Sequence, residues 1–173
     1  VHNTVQNPLI IKGDLKKFEG EHFDLIMMHH SLEHCEDQYT ELKLARDLLA
    51  PNGVLLVRQP VCDSDAFRRY GANWFQLDAP RHAVVHSLDS MELLVKACGL
   101  KIKNILWDST DQQFWASEQY AADVATYDEK SYFQNPELSQ FTSTQIALWK
   151  KEGDRLNRAS RGDQAAWYIL PEW

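Results

Sequence analysis

Two short apolar runs with one amphipathic segment between them constrain the fold of this chain more than any other feature. Residues 25–28 and 54–57 are too short for lone helices and are bounded by polar residues, which is typical of buried strands. Residues 37–50 between them repeat apolar side chains at three- and four-residue spacing, as one face of a helix does. A strand, a helix and a strand of these lengths predict a right-handed βαβ unit in a mostly parallel sheet.

Local signals place the ends of this unit and the elements around it. Asp37 is suited to cap the helix, and Pro51-Asn52-Gly53 is suited to end it at residue 50. Ser87 or Asp89 is suited to cap a second helix that stops before Gly99. The region 61–86 lacks clear periodicity and is predicted to be a long loop. The remaining predicted elements are strands at 9–12, 23–28, 100–107 and 165–170 and helices at 112–125 and 138–158.

Composition narrows the class of partner. The 173 residues suit one domain, and a net charge of -7 supplies no positive field for nucleic acid or an anionic membrane. We therefore expect a small or uncharged partner, with no nucleic acid and no membrane. Three widely spaced cysteines fit neither a disulfide framework nor a zinc knuckle, and reduced thiols favour a cytoplasmic location. No apolar run approaches the length of a membrane span.

A cluster of polar residues follows the strand at 23–28 directly. It contains His29, His30, Glu33 and His34. In open parallel sheets ligands bind beyond the carboxyl ends of the strands, so this cluster is predicted to lie in the functional crevice.

Several short motifs occur in a fixed order along the chain, and together they resemble one enzyme family. The family is the class I S-adenosylmethionine-dependent methyltransferases, in their small-molecule branch, and the resemblance covers roughly residues 9–107. The motifs are Gly13-Asp14, Phe23-Asp24-Leu25-Ile26, His30-Ser31-Leu32-Glu33-His34, Leu48-Leu49-Ala50-Pro51-Asn52-Gly53 and Trp74-Phe75-Gln76-Leu77-Asp78-Ala79-Pro80-Arg81-His82.

The resemblance implies an α/β, Rossmann-like, mostly parallel sheet with flanking helices. It implies methyl transfer from S-adenosylmethionine to an O, N or C nucleophile of a small-molecule acceptor. Residues 108–160 would form a helical cover over the acceptor, and 165–170 the last strand. The residues implied for the cofactor are Asp14, Leu15, His29 and His30, those for catalysis are His29, His30 and His34, and those for the acceptor are Trp74, Arg81 and His82.

The chain also departs from the family. It contains no Gly-x-Gly to hold the amino-acid end of the cofactor, and nothing before residue 9 supplies the family's first two strands. We therefore expect a single, incomplete methyltransferase domain over residues 1–173, with weak or no cofactor binding by this chain alone. The open sheet edge could be filled by further residues of a longer protein, by a second copy in a homodimer, or by strand 9–12 pairing with strand 23–28.

Other interpretations of the same residues stay open. His30-Ser31-Leu32-Glu33-His34 also spells the His-x-x-Glu-His pattern of zinc peptidases, although the strand before it and a helix start near residue 37 count against a metal, and we expect none. The chain could also be a non-catalytic interaction module. Asp14 could be a turn residue, Glu33 and His34 could fix a helix start, and Asp78 with Arg81 could simply hold the long loop.

Overall fold

The computed structural model describes residues 13–172 of the chain. The predicted strand at 9–12 therefore lies outside the described residues. The helices and strands are β1 (Phe23–His29), α1 (Gln38–Asp47), β2 (Leu49–Pro60), α2 (Asp65–Tyr70), α3 (Leu88–Ala97), β3 (Leu100–Trp107), α4 (Gln112–Ala121), α5 (Ser143–Arg158) and β4 (Gln164–Pro171). Short 3₁₀ helices occur at Leu15–Phe18, Leu32–His34, Gly71–Asn73 and Phe75–Leu77.

The four strands form one sheet in the order β1-β2-β4-β3. β1 and β2 are parallel, which confirms the predicted βαβ unit, and β4 is antiparallel to both of its neighbours. Consequently β1, β2 and β3 all run in the same direction. The α/β, Rossmann-like class is confirmed, and the carboxyl ends of three strands lie at one edge of the sheet together with the start of β4.

One face of the sheet packs against α1 and α3. Alternate residues of β1 and β2, such as Met28, Leu55 and Val57, join buried residues of the two helices in the main core. Leu42 from α1 and Met91 from α3 are fully buried there. Because each buried Leu or Met side chain contributes about 1.5–3 kcal/mol, this layer supplies much of the stability of the fold.

The other face of the sheet is exposed at both of its outer strands. Leu25 and Met27 on β1 have 54% and 55% of their surface in solvent, and Leu106 on β3 has 51%. The register places Leu25 beside Val54 and Met27 beside Leu56, so the exposed apolar side chains are contiguous with half-buried residues of β2. Among the described residues, β1 has a hydrogen-bonded strand partner on one side only.

The predicted end of the first helix was wrong. Asp37 does cap α1, because its Oδ1 accepts the backbone N–H of Thr40 at 3.0 Å. However, α1 ends at Asp47 rather than residue 50, and Pro51-Asn52-Gly53 lies inside β2. Leu49 pairs with Phe23 of β1. Residues 49 and 50 therefore belong to β2, although their apolar spacing also suited a helix.

The region 61–86 was predicted to be one long loop, but it is partly helical. It contains α2, which Ser64 caps by accepting the N–H of Phe67 at 3.1 Å. The two later helices are also shorter than predicted, since α4 ends at Ala121 and α5 starts at Ser143 after the cap Thr142. β4 is one residue longer at each end than the predicted strand.

No helix within residues 13–172 combines the length and apolar character that crossing a membrane requires.

Candidate functional site

Polar residues from four strands meet at the carboxyl edge of the sheet. His29 ends β1 and lies opposite Arg58 near the end of β2, while Asp108 follows the end of β3. β4 runs the other way, so its start brings Asp163 and Gln164 to the same edge. The strand directions thus assemble side chains that lie far apart in the sequence.

Five side chains at this edge of the sheet form one chain of hydrogen bonds. The buried carboxylate of Glu33 accepts from Nδ1 of His30 at 3.0 Å, and Nε2 of His30 accepts from Nη1 of Arg58. The Nε of Arg58 in turn donates to Oδ2 of Asp108 at 2.6 Å. Gln164 holds the other Asp108 oxygen at 3.1 Å. Every link joins a donor to an acceptor and includes at least one charged group, which strengthens the hydrogen bond.

The network fixes the protonation of His30. A carboxylate accepts only, so Nδ1 of His30 carries the hydrogen that is donated to Glu33; the guanidinium donates only, so Nε2 is the acceptor. His30 is therefore held as a neutral imidazole with both nitrogens engaged. It becomes a proton acceptor for another molecule only when Arg58 moves away from Nε2.

Burial and hydrogen bonding act in opposite directions on Glu33. Burial of the carboxyl raises its pKa, but the hydrogen bonds that it accepts from His30 and from the backbone oppose this shift, and the pKa of Glu33 is lowered overall. Glu33 is thus an ionised carboxylate at neutral pH. Its second oxygen, Oε2, is buried and has no hydrogen-bond partner among the described residues.

A cavity of about 360 Å³ opens beside this network. Its walls come from the sheet edge, the segment 75–82, α4 and the segment that follows α4. His30 and Asp78, both on its wall, have positive φ angles of 49° and 39°, which non-glycine residues seldom adopt. Such backbone conformations concentrate at binding and catalytic sites, where the surrounding structure holds them in place.

Asp163 is a buried carboxyl in the cavity wall. Its Oδ2 accepts from Nε1 of Trp74 at 3.0 Å and from Nε2 of Gln76 at 2.7 Å. Burial raises the pKa of Asp163, and the hydrogen bonds from Gln76, Trp74 and Ser109 only partly oppose this shift. The side chain joins the segment 74–76 to the start of β4.

The residues predicted to bind the acceptor occupy three different environments. Trp74 is 1% exposed and stands behind Asp163 rather than on the cavity surface. Arg81 lies on the cavity wall with a largely exposed guanidinium that pairs with Asp78. His82 also lines the cavity, and its Nδ1 lies 2.8 Å from the carbonyl oxygen of Gln76.

The predicted catalytic and cofactor residues are only partly brought together. His29 is exposed, with Nε2 3.2 Å from Nη1 of Arg58, and His30 lines the cavity. His34 is exposed and lies next to His82, with ring centroids 4.8 Å apart. Asp14 is exposed before the 3₁₀ helix that starts at Leu15, and Leu15 packs against the main core.

The zinc-peptidase arrangement is not formed. That pattern needs both histidines on one face of an α-helix. Here His30 precedes a 3₁₀ helix that covers only Leu32–His34, and the Nδ1 of His30 is bonded to Glu33 instead of facing a shared ion.

No sequence motif predicted Arg58, Asp108, Gln113, Asp163 or Gln164 as residues of the site. Arg58 ends an apolar run, Gln113 lies in a helix and Asp163 precedes the last strand, and none of them belongs to a recognisable motif. A weak signal existed for Arg58 and Asp108, because polar residues that end strands of equal direction share one sheet edge. Asp163 required knowledge that β4 is antiparallel.

Comparison with known proteins supports the same fold. A family model described as "Methyltransferase domain" matches residues 5–105, which is more than half of the chain. Among curated proteins, none matches the chain. Among solved structures, mitomycin 7-O-methyltransferase MmcR aligns over 94% of this chain and 33% of its own, at 13% identity and a TM-score of 0.55.

A SAM-dependent methyltransferase from Archaeoglobus fulgidus aligns over 93% of this chain and 66% of its own, at 16% identity and a TM-score of 0.51. The chain thus spans between a third and two thirds of the length of these structures. At such low sequence identities the similarity to solved structures shows only the fold, whereas the family-model match shows the family to which the chain belongs. The chain belongs to the methyltransferase domain family.

Proposed function

We propose that the complete domain to which this chain contributes moves a methyl group from S-adenosylmethionine to an O, N or C nucleophile of a small molecule. The observation that carries the proposal is the polar cavity at the carboxyl edge of the sheet, where His30 and Arg58 face the helical cover. This is the position at which open α/β sheets bind their ligands.

The described residues fit one wall of a cofactor site. We propose that Asp14, Leu15, His29 and His30 border the cofactor, since His29 and His30 lie at the carboxyl end of β1. The chain has no Gly-x-Gly to cradle the other end of the cofactor. The exposed face at Leu25 and Met27 and the greater length of the similar structures support further polypeptide that completes both the site and the sheet.

The chemistry divides between the cofactor and the chain. The bound cofactor supplies an activated methyl group on its sulfonium, which an in-line nucleophile displaces. The chain's own residues orient the acceptor, exclude water and hold or accept a proton. We propose His30 as the proton acceptor, acting through Nε2 once the acceptor displaces Arg58. His29 and His34 remain second proposals, because neither lines the cavity.

The lining of the cavity favours a small polar acceptor. Gln113 has a buried Oε1 with no hydrogen-bond partner among the described residues, and an N–H or O–H of the acceptor would satisfy it. Arg81 and His82 at the wall supply further polar contacts. The net charge of -7 disfavours nucleic acid as the acceptor.

We propose a cytoplasmic location, since all three cysteines are free thiols. A homodimer through the exposed edge of β1 is a second way to cover Leu25 and Met27. In that case sedimentation should show a dimer that Met27→Lys dissociates, whereas a monomer in both proteins favours completion by further polypeptide.

Calorimetric titration with S-adenosylhomocysteine tests the proposed function. We expect weak or no binding to this chain and clear binding to a version extended at its N-terminus. In the extended protein, His30→Ala should lower the rate of methyl transfer strongly, while His22→Ala, which changes an exposed histidine just before β1, should leave it unchanged. An extended protein that binds no cofactor would contradict the proposal and favour an interaction module.

A further inference from the structure

A cluster of three potential metal ligands lies next to the cavity. It consists of Glu33, His34 and His82, each of which offers one ligand atom, and these atoms all lie within 4.8 Å of one another. Glu33 and His34 are adjacent in the chain, whereas His82 arrives from the segment that follows the 3₁₀ helix at 75–77. The cluster is therefore a product of the tertiary structure.

Backbone hydrogen bonds hold the two segments together. The carbonyl oxygen of Glu33 accepts the N–H of Ala83 at 2.8 Å and that of Val84 at 3.3 Å. These backbone bonds attach the segment that carries His82 to the 3₁₀ helix at 32–34. The ligand geometry is thus supported by the backbone.

Each of the three side chains is oriented through its other polar atom. Nδ1 of His34 lies 2.9 Å from the carbonyl oxygen of Arg81, so it carries the hydrogen and donates it. Nδ1 of His82 donates in the same way to the carbonyl oxygen of Gln76 at 2.8 Å. In the neutral form of each histidine, Nε2 is therefore the unprotonated nitrogen, which is the atom that binds a metal. Metal-binding histidines usually donate their second N–H to a carbonyl or a carboxylate.

Glu33 supplies the independent evidence for a ligand. Its side chain is fully buried, and Oε1 is held by Nδ1 of His30, but Oε2 has no hydrogen-bond partner among the described residues. A buried carboxylate oxygen without a partner costs roughly 1–3 kcal/mol or more. A cation bound at Oε2 would remove that cost.

We propose that Glu33, His34 and His82 form a binding site for a divalent transition-metal ion. Two imidazole nitrogens and one carboxylate oxygen suit Zn²⁺ and related first-row ions better than Mg²⁺ or Ca²⁺, which prefer oxygen ligands. Three protein ligands leave at least one coordination position open. Since His82 also lines the cavity, that position is available to water or to an oxygen donor of a molecule bound there.

The site needs a modest contraction when an ion binds. Ligand atoms about 2.0–2.2 Å from a tetrahedral ion lie roughly 3–3.5 Å apart, which is less than the largest separation in the cluster. His34 is exposed and its ring can move to close the site. Asp78 is a competing partner of His82, because its Oδ2 lies 3.9 Å from Nε2 of that histidine.

Equilibrium dialysis of the tag-free chain against Zn²⁺, followed by elemental analysis, tests the site without any cofactor or acceptor. We expect about one ion per chain, and at least a tenfold loss of affinity in His34→Ala and in His82→Ala. Millimolar Mg²⁺ should not displace the ion. Because methyl transfer is not measured, the result is independent of the proposed function.

Matched variants identify the ligands. His22→Ala removes an exposed histidine elsewhere, and Cys35→Ser removes the thiol beside the cluster; both should bind Zn²⁺ as the unchanged chain does. His34→Ala alters an exposed side chain, so circular dichroism should show an unchanged fold. The proposal is overturned if the unchanged chain binds no Zn²⁺, if both His34→Ala and His82→Ala keep full affinity, or if Cys35→Ser alone abolishes binding.

Discussion

Arg58 and His30 face each other at the ends of two parallel strands, and Nη1 of Arg58 donates to Nε2 of His30. The backbone repeats this pairing, because the N–H of His30 donates to the carbonyl oxygen of Arg58 at 2.8 Å. Arg58 thus fixes the backbone position of His30 and also occupies its accepting nitrogen. The cavity wall is consequently built around a histidine whose availability depends on an arginine.

Arg58→Ala should lower the free energy of unfolding by roughly 1–2 kcal/mol, because His30 and the partly buried Asp108 both lose a donor. Urea denaturation measures the change. Arg68→Ala is the matched control, since that side chain is largely exposed and its pair with Asp65 spans 3.8 Å. We expect a change below about 0.5 kcal/mol in the control. Equal effects of the two substitutions would show that the network adds no stability.

Asp163→Asn should become stabilising relative to the unchanged chain as the pH rises. Burial raises the pKa of Asp163, so the folded state binds this proton more tightly than the unfolded state. The stability due to the bound proton is complete below the ordinary aspartate pKa of about 3.9 and is lost as the pH climbs through the raised value. Urea denaturation between pH 4 and pH 7 measures the difference.

Asp63→Asn is the control for that experiment, because Asp63 is exposed. The free energy of unfolding of Asp63→Asn should differ from that of the unchanged chain by a nearly constant amount over the same pH range. A constant difference for Asp163→Asn as well would show that the carboxyl ionises in the folded chain as easily as in the unfolded one.

His86 should make the fold weaker in mild acid. Burial lowers the pKa of this imidazole, whose Nε2 donates to Oε1 of Gln38 and whose Nδ1 accepts from Ser90. A lowered pKa means that the stability is complete above the ordinary value of about 6.5 and is lost as the pH falls through the lowered one. Thermal unfolding between pH 7.5 and pH 5 should show a decline that His86→Gln reduces and His22→Gln leaves in place.

Met27 and Met28 should respond differently to the same substitution. Met28 belongs to the main core, so Met28→Ala should cost about 2–4 kcal/mol, whereas Met27 is 55% exposed and Met27→Ala should cost less than about 1 kcal/mol. Chemical denaturation of this chain measures both. In a protein where further polypeptide or a second copy covers β1, the cost of Met27→Ala should rise toward that of Met28→Ala.

The predicted parts of the fold are those that rest on local pattern. The apolar runs at 25–28 and 54–57 became neighbouring parallel strands, and Asp37 became a helix cap, because periodicity and capping act within a few residues. The end of α1 was mispredicted, because pairing of Leu49 with Phe23 is a contact between distant segments. α2 was missed although Ser64 offered a capping signal.

The sequence by itself determined the βαβ unit, its family resemblance and the polar cluster that follows β1. The partners of that cluster were decided only by the tertiary structure: Arg58 and Asp108 reach His30 because three strands end at one edge, and His82 reaches Glu33 and His34 because backbone hydrogen bonds attach a distant segment to theirs. Spacing along the chain indicates which residues share a strand or helix face, whereas proximity between distant elements depends on strand order and direction, which local pattern predicted only within the βαβ unit.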